Sequence, residues 1–223
     1  MALVFDIETI GARFDSLPDS VQEYLLRPAG GDEDKQEDLK RQTALLPFTG
    51  EVACIAMHNT QTGGGKVLLR AGSQEVPAGE GVVYTAFPDE RSLLAEFWSL
   101  AAKGRPYVTF NGRAFDVPYL YIRSGILKVK ASCDLLGNRY KGDVHVDLYD
   151  QFKFQGSAWS MKFNLDLACR SFGIESPKSE ESHGNKVQEM WDEGRGADIA
   201  RYCYGDVVAT AALYARWRDF MNG

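Results

Sequence analysis

The chain has 223 residues, 44% of them hydrophobic and 25% charged, with a formal net charge of −6. That length suits one sizeable core better than two, and no run approaches the ~20 consecutive apolar residues of a membrane span. The acidic surplus works against tight sequence-independent binding of nucleic acid, which is largely neutralisation of phosphate.

In chain order, the first predicted strand is Leu3 to Glu8, apolar until its two acids. The stretch before them, Met1 to Phe5, lacks the basic start and long apolar region of a signal peptide. A helix is expected over Glu23 to Arg27. Residues 28–42 form a charged segment, in which Gly30 to Arg41 is expected as a mobile loop or a solvated helix. Val52 to His58 and Lys66 to Arg70 are strands on either side of a hairpin turn at Gly63-Gly64-Gly65, with Val82 to Phe87 a third strand. Leu93, Leu94, Phe97, Trp98 and Ala101 recur at helical spacing, so Asp89 to Lys103 is a helix closed by Gly104.

Tyr107 to Phe110 reads as a short buried strand, followed by a turn at Asn111-Gly112 and a helix through Tyr119 to Arg123. Pro118 is compatible only with the first turn of that helix. Arg123, Lys128, Lys130, Arg139 and Lys141 then stand against Asp134 alone, either as a surface for a nucleic-acid backbone or as ordinary solvated charge. Val144 to Leu148 is a strand, Ser160 to Phe172 a helix ended by Gly173, Lys186 to Glu193 a short helix and Ala197 to Phe220 a long one. The order predicts a single α/β domain over residues 1–223, its mixed central sheet containing an antiparallel hairpin and flanked by helices. Cys54, Cys133, Cys169 and Cys203 form no CxxC pair, so reduced, mostly buried thiols and a cytoplasmic protein are expected.

Asp6 and Glu8 lie two apart on a strand and leave the same face. Two carboxylates at the end of a buried strand repel each other and need a cation or a proton. An Asp-x-Glu triplet occurs by chance roughly once in a chain this long, and a strand end reaching solvent would explain it equally. Asp116 falls in the first turn of its helix, where an acid is favoured by the helix dipole alone. Tyr202 and Asp206, four apart on the last helix, share a face at ~5–6 Å between Cβ atoms. A core tyrosine beside a surface acid accounts for that pair as well. Together, these acids from three elements form an oxygen-rich set of the kind hard divalent cations prefer. Paired metals stabilise the attacking and leaving oxygens of a phosphoryl displacement, and a nearby tyrosine can orient the attacking water.

Phe5-Asp6-Ile7-Glu8-Thr9, Asn111 through Phe115-Asp116, and Tyr202-x-x-x-Asp206 resemble the three exonuclease motifs of the DEDD superfamily, tyrosine subclass. The second motif, from Thr109 to Leu120, resembles the proofreading exonuclease of family-B DNA polymerases and a free-standing group of predicted 3′→5′ exonucleases related to it. Arg201 stands where the histidine subclass has its His, and Tyr202 decides the subclass. The resemblance spans residue 3 to about 217 and is specific at the three motifs and at His145-Val146-Asp147-Leu148. It implies an RNase H-like fold, two Mg²⁺ or Mn²⁺ ions, and release of nucleoside 5′-monophosphates from the 3′ end of single-stranded DNA or RNA, DNA favoured. By that match Asp6, Glu8, Asp116 and Asp206 are metal ligands, Tyr202 orients water, and Ile7, Thr9, Asn111 and Phe115 meet the terminal nucleotides.

Trimming of short RNA and a non-catalytic RNase H-like binding module are the alternatives. A separate polymerase or other protein partner is left open. A Rossmann-type enzyme is set aside because no GxGxxG or GxxxxGK[ST] occurs. His145 with Asp147 is expected to be structural or surface, and His58 and His183 are given no role. Trp98, Trp191 and Trp217 fit helix faces in the core, whereas Trp159, in a glycine-serine stretch, is better placed to stack on a base.

Overall fold

The computed structural model describes residues 1–70, 81–176 and 186–222; His183 lies outside them. Six strands form one sheet in the order β4-β3-β2-β1-β5-β6, namely β1 (Leu3–Gly11), β2 (Gly50–Asn59), β3 (Gly65–Arg70), β4 (Val82–Phe87), β5 (Tyr107–Thr109) and β6 (His145–Asp147). β1, β2 and β3 are successively antiparallel. β5 and β6 add in parallel on the far side of β1, and β4 runs parallel to β3. This is the mixed sheet with an antiparallel hairpin that the chain order predicts, and β1 lies inside it, between β2 and β5.

Two cores sandwich the sheet. On one face Val4 and Ile10 pack with Ile199, Cys203, Val207 and Leu213 of the long helix α8 (Gly196–Phe220). On the other, Phe5 and Ile7 pack with Leu93, Phe97 and Trp98 of α3 (Glu90–Ala101) and with Val117 and Leu120 of α4 (Asp116–Ile126). The alternation of β1 produces this division, since successive side chains leave opposite faces. Asp6 and Glu8 therefore face α8. The pairing of β1 with β2 shifts register between Glu8 and Thr9, where Cys54 and Val52 are the successive partners and Ala53 is the extra residue. Such bulges re-aim neighbouring side chains.

Between β1 and β2 the chain inserts α1 (Asp19–Leu26) and α2 (Glu33–Lys40). The acidic segment is thus a solvated helix. Asp32 caps it by accepting from the Lys35 N–H at 3.2 Å, and none of its residues is buried. Three further α-helices are α5 (Leu148–Phe152), α6 (Leu165–Ser171) and α7 (Val187–Asp192). The helix predicted from Ser160 starts only at Leu165, because Asn164 caps it, its side-chain oxygen accepting from the Leu167 N–H at 2.9 Å. A capping side chain ends the competition between turn and helix in favour of a start just beyond it.

The basic run from Arg123 to Lys141 is not a continuous cationic surface. Arg123 is buried and forms a two-bonded pair with Glu90, Nε to Oε1 at 2.9 Å and the outer guanidinium nitrogen to Oε2 at 2.5 Å. Glu90 also accepts from the Val52 N–H at 2.8 Å, so the pair ties α3, α4 and β2 together. Arg139 pairs with Asp150 at 2.6 Å. Trp98 and Trp217 are core residues and Trp191 is half-buried, whereas Trp159 is exposed. The cysteines are free, all but Cys133 buried. Among the described residues no helix is long and apolar enough to cross a membrane.

Candidate active site

β5 pairs with β1 only at Leu3 and Val4. Leu3 donates its N–H to Pro106 on that edge. Two pleats further along the same edge the ladder has run out, and the Ile7 N–H is taken instead by Oδ1 of Asp116 at 3.1 Å. This bond fastens the start of α4 to β1. It also brings the Asp116 carboxyl into hydrogen-bond contact with that of Asp6.

From the α8 side, Cys203 lays its thiol 3.6 Å from the Asp6 carbonyl oxygen and 3.7 Å from Asp6 Oδ2. Tyr202 and Asp206, on the same helix, extend the contact. Asp206 repels the carboxylates of both Asp6 and Glu8, and the Tyr202 hydroxyl is hydrogen-bonded to Asp206. The fold thus brings Asp6, Glu8, Asp116, Tyr202 and Asp206 into one electrostatic neighbourhood.

Burial is the largest cause of the shifts there, and the neighbouring carboxylates add to it. Asp6 and Glu8 are held well above the usual carboxylate range, first by burial, then Asp6 by Asp116, Glu8 and Asp206 and Glu8 by Asp206 and Asp116. Burial pushes Asp116 up to about 7, against its hydrogen bonds from backbone N–H groups. Tyr202 is raised further still by burial and by Asp206, Glu8 and Asp6, so its phenol stays neutral at any ordinary pH. Four acids so placed are tolerable with protons or with cations and in no third way. Ligand atoms of Asp6, Glu8 and Cys203 lie within 4.8 Å of one another. Burial and its contact with Cys54 keep the Cys203 thiol protonated, and a protonated thiol is a poor ligand. The usable donors are carboxylate oxygens, and that set fits a hard divalent cation.

Of the residues expected to meet a terminal nucleotide, Asn111 and Phe115 are half-buried, Ile7 and Thr9 buried. The Ile7 side chain points into the opposite core. The Thr9 hydroxyl is engaged with Tyr119. Phe115 leans on Tyr119, ring centroids 5.5 Å apart. Asn111 adopts a left-handed φ of 66°, a conformation Asn tolerates better than most residues. At Gly112 an added Cβ would fall 2.5 Å from Thr109 Oγ1, so this turn admits no side chain.

Asp147 supports the turn from below, accepting from the Asn111 and Arg113 N–H groups at 2.8 Å each and capping α5 through Tyr149 at 3.0 Å. His145 is fully buried with Nε2 2.8 Å from the Thr109 hydroxyl. Both are structural, as expected, and neither is at the surface. Sequence reasoning missed the work of Cys203 and Asp147. The available signals were the i, i+3 spacing of Cys203 to Asp206, and an Asp immediately before a helix start.

Residues 81–223 match the family described as predicted 3′-5′ exonuclease related to the exonuclease domain of PolB. Asp6 and Glu8 precede the matched stretch. DNA polymerase 1 of Sulfolobus acidocaldarius is 26% identical over 145 residues, covering 61% of this chain and 15% of the polymerase. A DNA polymerase of Pyrococcus glycovorans is 26% identical over 141 residues, covering 56% and 18%. The chain therefore spans less than a fifth of the length of these relatives. In fold it resembles the family B DNA polymerase of Pyrobaculum calidifontis, with a TM-score of 0.62 and 22% identity over 98% of this chain and 24% of that one. Its sheet and flanking helices are accordingly RNase H-like. The chain belongs to the family of predicted 3′-5′ exonucleases related to the exonuclease domain of PolB.

Proposed function

We propose that this chain hydrolyses phosphodiester bonds from the 3′ end of single-stranded nucleic acid, releasing nucleoside 5′-monophosphates with the help of two divalent cations, Mg²⁺ or Mn²⁺. The observation that carries this reading is the convergence of Asp6, Glu8, Asp116 and Asp206: burial raises the first three, and Asp206 and Asp116 raise Asp6 and Glu8 further. DNA is favoured as substrate because the aligned relatives are DNA polymerases.

Asp6, Glu8, Asp116 and Asp206 would hold the ions, which when bound supply a more acidic water and neutralise charge on the scissile phosphate. The protein's own part is positioning. Tyr202 stays a neutral phenol, so it orients the attacking water by hydrogen bonding and does not act as a base. Water attacks phosphorus and gives up a proton to solvent, the P–O3′ bond breaks, and the penultimate 3′ oxygen leaves and is protonated from solvent. Asn111 and Phe115 contact the terminal nucleotide, Phe115 through its ring face. Ile7 and Thr9, both buried, contribute through the backbone of β1 beside it.

The test is a time course on 5′-labelled single-stranded DNA and RNA with Mg²⁺, Mn²⁺ or EDTA, beside Asp6→Asn. A metal-dependent ladder shortening from the 3′ end, lost in the variant, is expected, strongest on DNA. Intact substrate with both metals on both polymers would overturn the proposal.

A further inference from the structure

The segment from Lys153 to Lys162 carries two lysines and no acid, in a chain whose net charge is −6. It joins α5 to α6, and both helices pack on α8. Cys169 of α6 lies close enough to Asp206 for that carboxylate to help raise its thiol to about 11, after burial. At its far end Phe163 is anchored, ring centroids 4.7 Å from Tyr149 and 5.8 Å from Phe110, the residue before the Asn111 turn. The segment is therefore tied at one end to the residue before the Asn111 turn and runs between two helices that pack on α8, the helix that carries Asp206.

Its backbone is ordered by turn hydrogen bonds, from Gly156 and Ala158 to the Lys153 carbonyl and from Met161 to that of Ala158. Phe154, Gln155 and Gly156 have φ of 50°, 54° and 104° in succession, and left-handed non-glycine residues persist only where their surroundings enforce them. This held loop leaves Phe154 63% exposed, Trp159 78% and Met161 41%. Three large exposed apolar side chains close together on one ordered loop mark an interaction site better than the same residues scattered singly would. Rings flanked by cations, here Lys162 and Lys153, whose Nζ lies 5.0 Å over the Tyr149 ring, suit one class of partner: a single strand, whose bases stack on aromatic faces while its phosphates meet lysine.

We propose that Trp159 and Phe154, flanked by Lys153 and Lys162, form a stacking track for the nucleotides upstream of the 3′ terminus. The track rests on the exonuclease reading for its role but binds by chemistry independent of cleavage. It would make long single strands better substrates than dinucleotides, whatever their sequence, since every base has a π face.

The experiment measures anisotropy of a labelled oligothymidylate of about twelve nucleotides in EDTA, so that no cleavage intervenes, on the full chain. Trp159→Ala is expected to weaken binding by about 5- to 150-fold, the range for a lost base–aromatic stack, and Trp159→Phe to recover most of it. The double variant Lys153→Gln, Lys162→Gln should lower the slope of log affinity against log salt by about 1.4, two single-strand phosphates' worth. With metal present, the ratio of kcat/KM for the oligomer to that for a dinucleotide should fall in Trp159→Ala. Unchanged binding and an unchanged ratio would overturn the track while leaving the exonuclease standing. Inorganic polyphosphate competing as well as the oligomer would overturn stacking as its basis. A binding loss in Trp159→Ala, from a parent that makes no ladder, would support the track and sink the exonuclease.

Discussion

The two faces of the sheet obey different physics although the same strand supplies both. Toward α3 and α4, β1 offers Phe5 and Ile7 to a dry core of Phe97, Trp98, Tyr107 and Leu120. Toward α8 it offers Val4 and Ile10 with two acids between them, and α8 answers with Cys203 and Asp206. One face gains from burial about 25 cal/mol per Å² of apolar surface. The other spends part of that gain on desolvated charges that repel each other. The acid cluster thus sits where the fold can least easily be stable, an arrangement common for binding and catalytic groups.

Substitutions can separate the faces. The largest effect on activity belongs to Asp206→Asn, which should drop cleavage to background while circular dichroism and unfolding remain native, because groups acting as a unit fail together. Tyr202→Phe should cost about 10²–10⁴ in kcat, the scale of a lost acid–base or water contact, with Mn²⁺ affinity kept; equal turnover would remove the tyrosine from the mechanism. On the dry face the sign reverses. Phe97→Ala should destabilise by about 3–5 kcal/mol in denaturant titration, yet spare kcat in the fraction that remains folded.

A smaller effect sharpens the contrast further. Asp116 is raised from 3.8 to about 7 in the folded state. Its protonated form is the favoured one, so its stabilising contribution is full below pH about 3.8 and is lost as pH rises through about 7. Asp6 and Glu8 shift in the same direction. His145 has the opposite sign. Burial pushes it down to about 3, so stability is lost as pH falls from about 6.5 toward 3. The midpoint of thermal unfolding in EDTA, minus that in Mg²⁺, should therefore grow more negative from pH 5 to pH 8, a difference from which His145 cancels. A flat difference would mean that the acids bind no cation.

Much of this organisation could be read from local pattern. The alternation of β1, the helical spacing of Leu93 to Ala101 and the placement of Asp116 at the start of α4 all agree with the structure. Each depends on residues within a few positions of one another. Where local signals were ambiguous, prediction slipped. The helix expected from Ser160 is delayed to Leu165 by the Asn164 cap, while of the two readings open for Gly30 to Arg41 the solvated helix is the one found, with none of its residues buried.

What the chain's order could not convey is how distant groups alter one another. Arg123 looks like surface cation until Glu90, 33 residues away, is found against it in the core. The Ile7–Asp116 bond spans 109 residues and the Cys203–Asp6 contact 197. Stereochemistry within a turn or a pleat sets the spacing of Asp6 to Glu8 and of Tyr202 to Asp206, so those pairs were already present in the linear chain. Whether the acids carry charge, need a cation or reach solvent depends on separation and dielectric, and only the packing of α8 and α4 against β1 determines those.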